Sequence, residues 1–176
     1  ITHASTGRAR FLGYEIGTMY CQTKFDKLRK RAVNGKIGLY IPEDVLQKKR
    51  QRYLRDGKVH HRTELMNDSE YDIIIRYQAE YRGLVQYYTL AQNRCRLGYV
   101  GFTMETSLLK TLASKGRTTF AKTRKRLKST TQSPHGPRTC LKLTIERAGQ
   151  RPLVAIFGGL SLRRKQTAIK DQVLMP

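Results

Sequence analysis

The sequence predicts a mainly α fold with small β elements, a helical bundle flanked by an N-terminal and a C-terminal β-hairpin. Three observations predict it. Between Asn67 and Cys95, apolar residues recur at alternating spacings of three and four, as they do on a helix with one buried face. Residues 10–20, 37–41 and 140–157 instead show aromatic, β-branched or alternating patterns, which suit strands. With 176 residues, 39% hydrophobic and 27% charged, the chain can fold as one compact domain or as two small units sharing a core.

Taken in order, residues 10–20 (RFLGYEIGTMY) read as a strand, and Asn34-Gly35 as a type I′ hairpin turn. Ile37, Leu39 and Ile41 alternate with Lys36, Gly38 and Tyr40 as in a half-buried strand, which Pro42 ends. A helix over 43–55 opens with Glu43 and Asp44 and closes with Arg52 and Arg55, complementing its dipole. Asn67-Asp68-Ser69 supplies capping oxygens for the next helix. Its seam is Ile74, Tyr77, Tyr81, Leu84, Tyr88, Ala91 and Cys95, about six turns. Gly83, inside this helix, calls for a local reason such as the close approach of another backbone. A third helix covers 102–115 and stops at Gly116, and a short basic helix follows over 118–128. Residues 129–137 read as a turn-rich linker. Residues 140–147 and 153–157 form a hairpin ended by Gly158-Gly159, and a segment with Arg163-Arg164-Lys165 closes the chain. There is no internal repeat.

Charge narrows the function. Thirty-five Lys and Arg against 13 Asp and Glu give a net charge of +22, which favours a polyanionic partner. Nucleic acid is the first candidate and an anionic membrane surface the second. No apolar stretch approaches transmembrane length, and residues 1–10 do not form a signal peptide. Between Glu105 and Glu146 there is no acid. The window holds Lys110, Lys115, Arg117, Lys122, Arg124, Lys125, Arg126, Lys128, Arg138 and Lys142. No local carboxylate can neutralise this stretch, so a phosphate backbone is a better explanation than a merely solvated face. Further clusters are Lys24, Lys27, Arg29, Lys30, Arg31 and Lys36, then Lys48, Lys49, Arg50, Arg52 and Arg55. Tyr77, Tyr81 and Tyr88 fall on the helical seam and read as core. Tyr87 lies off it and suits stacking on a base or ribose.

Catalytic and metal patterns are missing from the sequence. No paired carboxylates of the two-metal kind occur, and Asp68, Glu70 and Asp72 read as a helix start. His60-His61 lacks ligand spacing and reads as a loop pair, and Ser107 and Ser114 have no His/Asp context. Cys21, Cys95 and Cys140 form neither a disulfide framework nor a zinc pattern, so a reduced intracellular compartment is expected.

Three segments together carry a family resemblance. RFLGYEI at 10–16 resembles the block that closes the palm of group II intron reverse transcriptases. YDIIIRYQAEYRGLVQYYTLA at 71–91 is similar to the central helix of their maturase domain, also called domain X or the thumb, with its RG-x-x-x-YY core. SLLKTLASK at 107–115 is similar to the S-L-x-K-T-L-A-x-K signature of the same domain. Gln86 stands where many relatives have Asn, and Gly116 where they often have His.

The resemblance implies an end of the reverse transcriptase palm at 1–41 and a helical thumb bundle at 42–131. The start of a DNA-binding region with its hairpin is implied at 132–176. It implies an RNA-binding maturase module that grips group II intron RNA to promote splicing and supports template binding. Arg82, Tyr87, Lys110, Lys115, Arg117, Lys122, Arg124, Lys125, Arg126 and Lys128 would contact RNA. Gly83, Tyr88, Ser107, Thr111, Leu112 and Ala113 would be structural. Target DNA is a further implied partner through the C-terminal region. The resemblance would narrow the expected compartment to the bacterial cytoplasm or an organelle. No catalytic residue, metal or cofactor is expected here, since the divalent metals belong to a palm not contained in this sequence. The first residue, Ile1, and the apolar end at Pro176 fit a piece of a longer retroelement protein. The competing classes are a generic basic nucleic-acid-binding, ribosomal-like protein and an independent nuclease.

Overall fold

Leu12 and Gly13 both adopt positive φ, 45° and 73°, the backbone that a two-residue type I′ turn requires. They divide the strand expected over 10–20 into a hairpin, β1 (Ala9–Phe11) and β2 (Tyr14–Thr18), with Phe11 opposite Tyr14. A leucine is seldom found at positive φ, and so the turn is hard to see in the sequence. The computed structural model describes residues 7–31, 34–133 and 136–164. Lys165, part of the expected C-terminal basic triplet, lies outside them.

The chain divides into two compact units. The first comprises the described residues of Ile1–Glu43, Tyr88–Arg94 and Arg163–Pro176. Here β2 pairs antiparallel with β3 (Ile37–Tyr40), Thr18 opposite Ile37, so the connection between them is long. Asn34-Gly35 is therefore not a two-residue hairpin turn, which corrects the expectation. Only Gly35 has positive φ (80°), and the Asn34 side chain accepts a hydrogen bond from the Cys21 N–H at 2.7 Å. The β3 alternation also fails at its start, because Ile37 is 69% exposed while Gly38 and Ile41 are buried. Asn93 extends this unit. Its side chain accepts from the Ile41 N–H at 2.8 Å and donates to the Ile41 carbonyl at 3.0 Å, as a neighbouring strand would.

The second unit comprises Asp44–Tyr87 and Cys95–Leu162. Helix α1 (Glu43–Gln51) is shorter than expected. Asp56 and Gly57, with φ of 51° and 73°, turn the chain between β4 (Leu54–Arg55) and β5 (Lys58–Val59). Asp56-Gly57, just past the helix expected over 43–55, is thus a second type I′ hairpin turn.

Helix α2 (Glu70–Tyr87) begins as expected, with the Ser69 hydroxyl accepting from the Asp72 N–H at 3.1 Å. It ends earlier than the periodicity implies. Tyr88 and Ala91 are buried but lie beyond it, and Cys95 is exposed. The tertiary pairing of Asn93 with Ile41 competes with further helix and wins. Within α2 the buried face is Ile73, Ile74, Tyr77, Gln78, Tyr81 and Val85, while Leu84 is only half-buried.

Helix α3 (Leu97–Lys115) starts earlier than expected and stops at Gly116 as predicted. Leu97, Val100, Met104, Leu108, Leu109 and Leu112 are buried along it, each worth about 1.5–3 kcal/mol of apolar burial. Helix α4 (Phe120–Leu127) follows after a Thr119 cap.

Of residues 129–137, 134–135 lie outside the described residues, and the others are strand and not linker. They fall on β6 (Lys128–Ser133) and the start of β7 (Gly136–Arg147), paired with Ser129 opposite Cys140. Their Ser/Thr composition suits a half-exposed strand as well as it suits a loop. The expected hairpin is present as β7 and β8 (Gln150–Gly158), turning at Ala148 and Gly149. The sheet packs on α2 through Phe157, whose ring lies 6.4 Å from Tyr77 and 5.8 Å from Tyr81. Buried Gln78 completes the joint by accepting the Gly158 N–H at 2.9 Å.

Four helices and three small antiparallel sheets make the described chain mixed α/β, more strand-rich than a mainly helical bundle. Among the described residues no helix is long and apolar enough to cross a membrane.

Gly83 has no neighbour within 4 Å of a Cβ built on it, so no backbone approaches it and the expected reason is absent. The close approach is at Gly101, where a Cβ would lie 2.6 Å from the Tyr81 hydroxyl oxygen. Gly101→Ala should therefore destabilise the chain by about 1–3 kcal/mol through overpacking. Gly83→Ala should stabilise it by up to about 1 kcal/mol through helix propensity. Urea unfolding of both variants checks the contrast, and equal shifts would contradict the α2–α3 packing described.

Candidate nucleic-acid interface

Spacing of four places Ser107 and Thr111 on one face of α3, and Lys110 and Lys115 flank that face. All four grip the segment 59–66. The Ser107 hydroxyl donates to the His60 carbonyl at 2.6 Å, and Lys110 Nζ donates to the Val59 carbonyl at 2.7 Å. Thr111 Oγ1 accepts from the Arg62 N–H at 3.0 Å, and Lys115 Nζ donates to the Met66 carbonyl at 2.9 Å. The Tyr77 hydroxyl meets Ser107 Oγ at 2.9 Å from α2. Leu112 and Ala113 are buried beside them. The signature thus works as a clamp. Lys110 remains exposed, so its other N–H groups still face solvent.

The clamped segment carries an ionic network that the sequence does not reveal. The Arg62 side chain, 11% exposed, donates to Glu64 Oε1 at 2.7 Å and to Glu80 Oε1 at 3.0 Å. Tyr53 donates its hydroxyl to Glu80 Oε2. Burial first, and that hydrogen bond second, push the Tyr53 phenol well above its ordinary range. Burial opposes the charge on Arg62, but its bonds to Glu64 and Glu80 outweigh this and hold it protonated.

Beside this network lies a pocket of about 250 Å³, lined by Arg52, Arg55, His60, His61, Arg62 and Glu64 among others. The two imidazoles stack at 4.1 Å, and His60 Nδ1 contacts the His61 carbonyl. Partial burial, and then the neighbouring His60, Lys110 and Arg55, hold the His61 pKa below its ordinary value. Among the described residues no group of three His, Cys, Asp or Glu side chains could hold a metal ion.

Helix α4 buries Thr123 and Leu127, which leaves Lys122, Arg124, Lys125 and Arg126 exposed, with Lys128 just beyond. Arg126 pairs with Glu70 at 2.8 Å. Lys122, Arg124, Lys125 and Lys128 have no carboxylate partner among the described residues. Arg117, at positive φ (46°), is exposed in the turn before α4. On α2, Arg82, Gly83 and Tyr87 share the solvent side, with Tyr87 54% exposed. Tyr88 sits in the first unit instead, its hydroxyl donating to the Gly13 carbonyl at 3.1 Å and its ring edge-on to Tyr14 at 5.1 Å.

A family model for the type II intron maturase matches residues 37–146, from β3 through nearly all of β7. The chain belongs to the type II intron maturase family. It is 39% identical over 136 residues to the group II intron-encoded protein LtrA of Lactococcus lactis subsp. cremoris. The same figures hold for LtrA of strain MG1363 of that subspecies. The match covers 70% of this maturase chain but 22% of the relative, so the chain spans well under two thirds of the proteins it resembles.

Two outcomes follow from the site's electrostatics. Glu80→Gln leaves the sparsely exposed Arg62 with one carboxylate and should cost about 1–3 kcal/mol in urea unfolding. Glu64→Gln, at a side chain 60% exposed, should cost less than about 1 kcal/mol. His61 gives a pH dependence. A histidine held below 6.5 stays neutral when folded at a pH where the unfolded chain already binds a proton. Its stabilisation is therefore present above pH 6.5 and is lost as pH falls towards the native value. Urea midpoints at about pH 7.5 and 5.5 should converge in His61→Gln relative to wild type.

Proposed function

We propose that this chain is the RNA-gripping maturase module, or thumb, of a group II intron reverse transcriptase, binding intron RNA to promote splicing. The observation that carries the reading is the row of exposed cations on and around α4, set in a window without acids. Such a row matches a phosphate backbone, which neutralises it and releases counterions. The solvent side of α2 adds Arg82 for a phosphate and Tyr87 for a base or ribose. Between them Gly83 leaves the helix surface bare, which lets a nucleic-acid strand lie close.

In the parent protein this module would hold template beside a palm that supplies the divalent metals and the polymerase carboxylates. Exposed Lys142, Arg147 and Arg151 on the β7–β8 hairpin suit a further contact with target DNA.

The reading requires tighter binding of the cognate intron than of an unrelated structured RNA of equal length at near-physiological salt. Equal affinity would favour a generic basic binder. Neutralising Lys122, Arg124, Lys125, Arg126 and Lys128 together should flatten the slope of log affinity against log salt by about 0.7–0.9 per lost phosphate contact. Arg126, already paired with Glu70, should contribute least. An unchanged slope would mean that these side chains are only solvated.

A further inference from the structure

The pocket beside the clamp is not accounted for by the α4 surface. Its acid Glu64, and Glu80 beside it, are both engaged by Arg62. Arg52 lies at the edge of this network, 4.0 Å from Glu80, with its side chain 57% exposed. Arg55 and Lys110 have no carboxylate partner among the described residues. The opening thus gathers arginine forks and an imidazole with no acid left to answer them. An arginine fork matches an oxyanion in both geometry and charge. The volume of about 250 Å³ admits one such group with its water.

We infer that this pocket is an oxyanion site, occupied by a single phosphodiester of the bound RNA, with Arg52, Arg55 and His61 as its ligands. The inference rests on the RNA-binding reading above. It also gives the clamp a purpose. Ser107, Lys110, Thr111 and Lys115 are positioning residues that fix the main chain on which His60, His61 and Arg62 stand. The groups that act on His61 are Arg55 from β4, His60 beside it, and Lys110 from α3. Arg52, Arg62 and Glu64 complete the wall. Partial burial first, and then His60, Lys110 and Arg55, penalise protonation of His61, and an anion among them relieves the electrostatic part of that penalty. Binding at this pocket therefore takes up a proton and strengthens as pH falls.

The test uses the intact chain with a structured RNA that it binds, and separately with sulfate, which stays a dianion across the range. NMR of the His61 ring follows its titration. Both ligands should move that titration to higher pH. RNA affinity should rise about three- to tenfold between pH 8 and 6, and His61→Gln should abolish the rise. Arg55→Ala should lower the salt slope by about 0.7–0.9, and Arg55→Lys should restore the slope but only part of the affinity. Thermal unfolding of each variant verifies folding. RNA binding that leaves His61 and the Arg55→Ala slope unchanged overturns this inference while leaving the maturase reading intact. Failure of the wild-type chain to bind any RNA counts against the maturase reading, and sulfate then still judges the pocket. No response of His61 to sulfate overturns the oxyanion site.

Discussion

The contact between α2 and α3 is the constraint from which the second unit is built. Tyr81 can lie against α3 only because position 101 has no side chain. That close passage brings the Tyr77 hydroxyl to Ser107 and Thr111, at 2.9 and 3.4 Å. Both partners are completely buried, so the polar contact must be satisfied within the protein. The same two α3 residues then reach out to segment 59–66. One helix crossing thus fixes the core on one side and the pocket wall on the other. On its far side, α2 receives Phe157 and the Gly158 N–H, which joins the C-terminal sheet to the same core.

Much of this was legible from local chemistry. The Ser69 cap, the stop at Gly116 and the β7–β8 hairpin each depend on residues within a few positions of one another. What escaped was decided at a distance. The α2 periodicity runs past Tyr87, but Asn93 pairs with Ile41, 52 residues earlier, and draws the chain out of the helix. Leu12 turns at positive φ although leucine rarely does, so a hairpin reads as one strand. Gly83 falls inside a helical pattern, whereas Gly101 precedes the helix expected over 102–115 and lies inside α3 in the structure. Only the partner helix shows which one is needed for packing.

The candidate site divides in the same way. The α4 cations and exposed Tyr87 could be singled out from residue type and register alone. Lys110 and Lys115 could be singled out but not fully understood. Their chemistry suits phosphate, yet each also binds a carbonyl lying 51 and 49 residues away respectively. Arg62, Glu80 and Tyr53 were not visible at all, because none stands in a motif and their meaning is mutual. Arg62 held by Glu64 and Glu80, with Tyr53 on Glu80, needs three segments to meet, and spacing within any one segment does not report that.

The distribution of acids explains how so basic a chain can fold and still keep its charge for a partner. Thirteen acids cannot balance 35 cations, and many of them are used for local structure. Glu15 faces Arg8 and Arg10 across a hairpin, and Asp26 accepts N–H groups of its own loop. Asp72 supports a helix cap, and Glu64 and Glu80 hold Arg62. Glu15, Glu64 and Glu80 neutralise nearby arginines, while Asp26 and Asp72 satisfy N–H and hydroxyl donors of a loop and a cap. The cations left over are exposed side chains, whose mutual repulsion is screened by water and salt and costs little. That arrangement costs folding little while leaving the field outside α4 and the pocket strongly positive. A polyanion that enters this field meets cations that internal partners have not already neutralised.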